Sequence, residues 1–113
     1  MSLKNDRQTY TTKEIQSRVD KYITQFKEGY FSPLGQMARL TEEIGELARE
    51  VNHVYGEKPK KSTEEMKTIT EELGDVLFVL TTFSNSLDID LTEAFETAIT
   101  KIETRDKNRW TQK

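Results

Sequence analysis

An eight-residue phrase occurs twice in this chain and constrains its fold more than any other feature: Leu40-Thr41-Glu42-Glu43-Ile44-Gly45-Glu46-Leu47, then Ile69-Thr70-Glu71-Glu72-Leu73-Gly74-Asp75-Val76. Each copy sets three carboxylates and a glycine inside an apolar pattern of helical period. Residues three apart project from nearly the same side of a helix, one turn displaced, so Glu43 shares a face with Glu46 and Glu72 shares one with Asp75. If the two helices pack with those faces together, four carboxylates converge. Their repulsion then raises pKa values or destabilises the fold unless a cation sits among them. An all-oxygen donor set suits a hard divalent ion, magnesium or its substitute manganese. A glycine costs a helix interior about 1 kcal/mol relative to alanine, so Gly45 and Gly74 are expected to admit a neighbouring backbone or a ligand. A single such phrase is ordinary solvated helix surface. The repetition, with the same spacing and with apolar residues on both flanks, favours a site.

The chain of 113 residues fits a single domain, residues 1–113, in which 1–10 are expected to be flexible and 105–113 form a basic tail. With 34% apolar and 33% charged residues, a lone protomer would have a thin core, and association between subunits is the natural remedy. The net charge of -3 argues against a binder of nucleic-acid polymers, which would carry a basic face. The absence of cysteine excludes disulfides and thiolate metal sites, and it is compatible with the cytoplasmic location we expect. No apolar run is long enough to span a bilayer, and the polar N-terminus is no signal peptide.

Helical signals fill the rest. Thr11 or Thr12 caps a first helix carrying Ile15, Val19, Tyr22, Ile23 and Phe26, which runs to about Lys27 and ends at Gly29. Ser32 before Pro33 opens a second helix, which reaches Tyr55 and stops at Gly56. The charged stretch Glu57-Lys58-Pro59-Lys60-Lys61 is a turn expected to be mobile. Ser62 and Glu65 form a capping box for a third helix that continues through Met66 to about Leu87. Its run Val76-Leu77-Phe78-Val79-Leu80 is apolar on all sides, so it must be covered from more than one direction, and a partner subunit would help. Asp90 and Glu93 make a further capping box for a fourth helix that uses Leu91, Ala94, Phe95, Ala98, Ile99 and Ile102. No strand signal survives, and the reading is an all-α bundle of four main helices whose second and third form an antiparallel hairpin bearing the carboxylates.

The pair Glu43-x-x-Glu46, a gap of 25 residues and the pair Glu72-x-x-Asp75 resemble the signature of MazG-like nucleotide pyrophosphohydrolases, within the all-α NTP pyrophosphohydrolase superfamily. The likeness runs over residues 31–110, and the wider phrases around the acids make it more specific than ExxE and ExxD alone. What the resemblance implies is magnesium-dependent hydrolysis of a nucleoside triphosphate to the monophosphate and pyrophosphate by an enzyme that keeps the nucleotide pool clean. It implies a homodimer or a dimer of dimers, with Glu43, Glu46, Glu72 and Asp75 as metal ligands. Arg39, one turn before Glu43, and Lys101 and Arg105, one turn apart on the fourth helix, match positions that hold phosphates.

General chemistry agrees, because carboxylates approach a triphosphate only through a cation whereas Lys and Arg approach it directly. Glu46 or Glu42 is the candidate to take the proton from the attacking water. Asn85 is either a C-terminal cap of the third helix or a contact to sugar or base. Phe31 or Tyr30 is a stacking candidate, although aromatics at helix links more often serve a core. Trp110 reads as a packing anchor and His53 as a surface or core residue. Two rival readings stand beside the enzyme. Glu50-Val51-Asn52-His53 is an ExxH motif of the kind di-iron carboxylate bundles use, but that reading leaves the Lys101 and Arg105 pair without a role. A non-enzymatic helical module pairing with partners through residues 76–80 would leave the repeated acids without one.

Overall fold

The computed structural model describes residues 8–56 and 68–113, and every structural statement below concerns these residues. They form four helices, α1 (Thr12–Thr24), α2 (Pro33–Tyr55), α3 (Ile69–Ser86) and α4 (Leu91–Arg105), with no strand. The all-α expectation holds. The charged stretch 57–61 and the Ser62 and Glu65 box lie outside the described residues, as do residues 1–7.

Each helix begins where its sequence supplies an acceptor for otherwise unpaired N–H groups. At α1 the Thr11 side chain accepts from the Glu14 N–H while Glu14 accepts from the Thr11 N–H, a reciprocal box. Those two bonds hold the exposed Glu14 carboxyl below its usual pKa. Ser32 caps α2 through the Gly35 N–H, with Pro33 in the first turn, and the helix closes at Gly56 as expected. The start of α3 differs from expectation. Thr68 is extended and its hydroxyl accepts from the Glu71 N–H, so this helix begins at Ile69 instead of running continuously from residue 62. Asp90 caps α4 through the Thr92 N–H. α1 ends at Thr24, short of Lys27, and Gly29, at φ 62°, takes the left-handed conformation that turns the chain into the aromatic link.

The main contact is between α2 and α3, which run antiparallel: Glu43 meets Glu72 and Asp75, while Gln36, two turns earlier, shares a cavity wall with Phe78 and Thr82. α1 packs on α3, with Tyr22 edge-on to Phe78 at 6.3 Å between ring centres. α4 packs on α1, with no comparable contact to α2 or α3 among the described residues.

A polar hub ties these elements together. Gln16 of α1 donates to Asn85 Oδ1 (2.9 Å) and to the Ile89 carbonyl (2.8 Å), and its Oε1 accepts from the Leu91 N–H (2.9 Å). Asn85 in turn donates to the Gln16 carbonyl (2.9 Å) and to the Tyr30 hydroxyl (3.1 Å), and that hydroxyl donates to Asp20 (2.7 Å). Burial, with help from the bond to Asp20 and its charge, pushes the Tyr30 hydroxyl up to about 12.

The apolar residues are covered far less well. Val79 is the one buried apolar side chain among the described residues, whereas Leu73, Leu77 and Leu80 of the same helix stay 52%, 45% and 38% exposed. Full cover for the run at 76–80 is not supplied by the described residues of one protomer. Trp110 is no packing anchor either: it is 69% exposed, with the Arg109 guanidinium 5.0 Å from its ring centre. The expected close approach at Gly45 and Gly74 is absent too, since a Cβ on either would meet no described atom within 4 Å.

Two outcomes follow from the hub. Asn85→Ala removes its side-chain hydrogen bonds to Gln16 and Tyr30, leaving the Gln16 side chain held only by Ile89 and Leu91, and it is expected to cost about 1–3 kcal/mol in urea denaturation. For Tyr30 the folded pKa lies above the unfolded value, so its contribution to stability is full below pH 10 and is lost as pH rises toward about 12. Tyr30→Phe should therefore show a shallower loss of stability over that window than the unmodified chain.

Candidate metal centre and adjoining cleft

Glu43, Glu72 and Asp75 each offer a carboxylate oxygen, and these oxygens all lie within 4.8 Å of one another. Helix geometry explains the convergence. Glu72 and Asp75 stand one turn apart on the face of α3 that meets α2, and Glu43 faces them across the interface. Glu72 is completely buried, a rare state for a carboxylate. Two full charges at such a separation repel by on the order of 3 kcal/mol at an effective dielectric of about 20. A cluster of hard oxygen donors held this close fits a divalent cation such as magnesium or manganese.

The remaining candidates fall into place around this point, or away from it. Glu46 is half-buried one turn beyond Glu43 but is not one of the three whose oxygens converge. Glu42 is exposed, about 100° round the helix from Glu43. Arg39, one turn before Glu43, is exposed and lines a cleft of about 630 Å³ together with Tyr22, Phe26, Phe31, Gln36 and Phe78. Phe31 is 59% exposed at that cleft. Asn85 spends its side-chain hydrogen bonds inside the protein, on Gln16 and Tyr30, so its geometry is that of a tie between α1 and α3. Lys101 and Arg105 do share one face of α4, beside Thr97 and Thr104, but α4 lies on α1 and not along the hairpin. Arg105 also pairs with Asp106 at 3.1 Å.

Sequence reading missed Gln36. It is 2% exposed, its Nε2 donates to the Phe31 carbonyl (2.8 Å), and it forms part of the cleft wall. A signal was available: glutamine stands two turns before Glu43 on the face that α2 buries. The side chains of the ExxH pair are largely buried. Glu50 is 5% exposed, with His53 Nδ1 3.7 Å from its carboxylate, and neither belongs to the acidic cluster. No described helix is long and apolar enough to cross a membrane.

Known proteins resemble this chain in sequence and in fold. An uncharacterized protein of Bacillus subtilis (strain 168), YpjD, is 68% identical over 103 residues, covering 91% of this chain and 93% of its own length. A crystal structure of Bacillus subtilis YPJD superposes with a TM-score of 0.75 at 65% identity, covering 84% of this chain and 97% of that one. The crystal structure of a Bacillus-conserved MazG protein, a nucleotide pyrophosphohydrolase, superposes with a TM-score of 0.76 at 57% identity, covering 90% of this chain and 99% of that one. The sequence model of the MazG nucleotide pyrophosphohydrolase domain matches residues 31–110, from the aromatic link through the tail, and with the repeated acids meeting between α2 and α3 the chain belongs to that family of hydrolases.

Proposed function

We propose that this protein is a magnesium-dependent enzyme of the nucleotide pool that hydrolyses a nucleoside triphosphate to the monophosphate and pyrophosphate. The observation that carries this reading is the meeting of Glu43, Glu72 and Asp75 beside an aromatic cleft, in a chain of the MazG family. Glu43, Glu72 and Asp75 would hold the cation, with Glu46 joining them by a change of rotamer. When bound, the divalent ion supplies charge neutralisation along the polyphosphate and acidifies a water molecule.

The reaction moves few atoms. A water oxygen bonds to the α-phosphorus, the bond from that phosphorus to the α–β bridging oxygen breaks, and pyrophosphate leaves with the bond's electrons. One water proton passes to a carboxylate. Glu46 suits that task better than Glu42, because it shares the Glu43 face while Glu42 projects toward solvent. Arg39, at the exposed rim of the cleft, is suited to the phosphates through its fixed fork of donors. Phe31 offers an exposed ring at the same cleft, on which a base can stack.

The working unit in this reading is a homodimer, or a pair of dimers, of single-domain protomers in the cytoplasm. A stripe of half-exposed leucines at 73, 77 and 80 on α3, with Ile44 and Val51 exposed on α2, is the kind of surface a second copy buries. Within one protomer α4 packs away from the hairpin, so Lys101 and Arg105 would reach the phosphates from the partner subunit. The di-iron and non-enzymatic readings gain nothing comparable: Glu50 and His53 lie outside the acidic cluster, and a pure docking module gives the buried Glu72 no role.

Three measurements test this. Glu43→Gln combined with Glu72→Gln should abolish magnesium-dependent pyrophosphate release, by at least about a thousandfold as expected when charge stabilisation is removed, while circular dichroism shows helicity kept. The same double variant should lose the rise in melting temperature that magnesium gives the unmodified protein. Leu77→Glu should shift sedimentation from dimer or tetramer to monomer and remove activity with it. Full activity in that monomer would rule out a site shared between subunits.

A further inference from the structure

Among the described residues, one buried side-chain atom in the wall of the cleft beside the acidic cluster lacks a hydrogen-bond partner. Gln36 Nε2 donates to the Phe31 carbonyl, and because that carbonyl can only accept, the orientation of the amide is fixed by the network. Gln36 Oε1 is thereby left buried and without a partner, on a residue that is 98% covered and forms part of the cleft wall. A buried carbonyl without a donor is costly, so a donor supplied by a ligand would be strongly favoured.

The other polar groups around the cleft narrow what that ligand can be. The Tyr30 hydroxyl donates to Asp20, the Thr82 hydroxyl donates to the Val79 carbonyl, and the Gly29 N–H donates to the Phe26 carbonyl. Beside Gln36 the wall therefore offers an acceptor and rings, with these three donors already engaged. Arg39 and the half-exposed Tyr22, whose hydroxyl can donate, stand on the more open parts of the cleft. Gln36 and Glu43 stand seven residues apart on one helix, a rise of about 10 Å, which suits a nucleotide with its base at Gln36 and its phosphates at the acids.

We infer that Gln36 is a specificity-determining residue whose side-chain carbonyl accepts a hydrogen bond from the exocyclic amino group of a cytosine or adenine base, and so selects amino over oxo nucleotides. This assignment rests on the pyrophosphohydrolase reading above. Uracil or hypoxanthine would bring a carbonyl oxygen against the Gln36 carbonyl, acceptor facing acceptor. Sites that hydrogen-bond a substrate group discriminate strongly against analogues lacking it, because the buried protein group is then stranded.

The test compares two pairs that differ at that one position, dCTP with dUTP and dATP with dITP. Calorimetry with the α,β-methylene analogues in the presence of magnesium gives affinity, and pyrophosphate release from the natural nucleotides gives kcat and KM. The unmodified protein should favour the amino member of each pair by at least about tenfold in both affinity and kcat/KM. Gln36→Met should bring the ratio to about twofold or less by raising KM for the amino member, with kcat kept, since nothing at the reacting phosphorus changes.

Equal affinity within each pair, preference for the oxo member, or a ratio that survives in Gln36→Met would overturn the assignment and leave the pyrophosphohydrolase reading standing. Absence of turnover of any of the four nucleotides would overturn that reading, and this inference with it. Should Gln36→Met lose its helical signal, the ratios of the unmodified protein decide the matter alone.

Discussion

The fold depends on one contact that is unfavourable by itself. Glu43, Glu72 and Asp75 are pressed together between two helices, with Glu72 wholly removed from solvent, where like charges repel and each carboxylate has lost part of its hydration. Such an interface persists when other contacts along the same pair of helices outweigh it or when a cation binds. α2 and α3 make the most extensive contact among the described residues, with Glu43 midway along α2 and Glu72 in the first turn of α3. Rigidity there matters for function, because three ligands carried on two braced helices keep their spacing better than ligands on loops.

Around that contact the protomer is polar where a small domain is usually oily. The side chains at Gln36, Glu50, Glu72, Thr81, Thr82 and Ser84 are buried, against a single buried apolar residue, Val79. The hydroxyls of Thr81, Thr82 and Ser84 return to carbonyls of their own helix, which lets them be buried without outside partners. The Gln16, Asn85, Tyr30 and Asp20 hub does for α1 what a larger apolar core would do, since it fixes orientation through directed bonds. The exposed leucines of α3 are the other side of the same balance: among the described residues, much of this helix's apolar surface is left uncovered.

Helix positions were readable wherever a cap was local. Thr11 with Glu14, Ser32 before Pro33, Gly56 and Asp90 each settle a helix end through atoms a few residues away, so sequence spacing suffices. The start of α3 was not readable, because a threonine at 68 inside a helical pattern announces no cap, and only the structure shows it extended with its hydroxyl on the Glu71 N–H. Trp110 shows the same limit. A large aromatic in a basic tail suggests an anchor, yet whether it is covered depends on which surface the tail meets.

By itself the sequence determined the helical class and the pairing of acids on one face of each of two helices, because the helical repeat fixes which residues share a side whatever else the chain does. It also carried the likeness of residues 31–110 to a family of nucleotide pyrophosphohydrolases. Only the tertiary structure decided that Glu43 meets Glu72 and Asp75 while Glu46 stands aside, that Asn85 is bound into a structural hub, and that Gln36 is buried beside the cleft. The physical reason is that spacing along a helix is a local, periodic quantity. The register of one helix against another is set by the sum of many weak contacts across the interface, and no single residue type announces it.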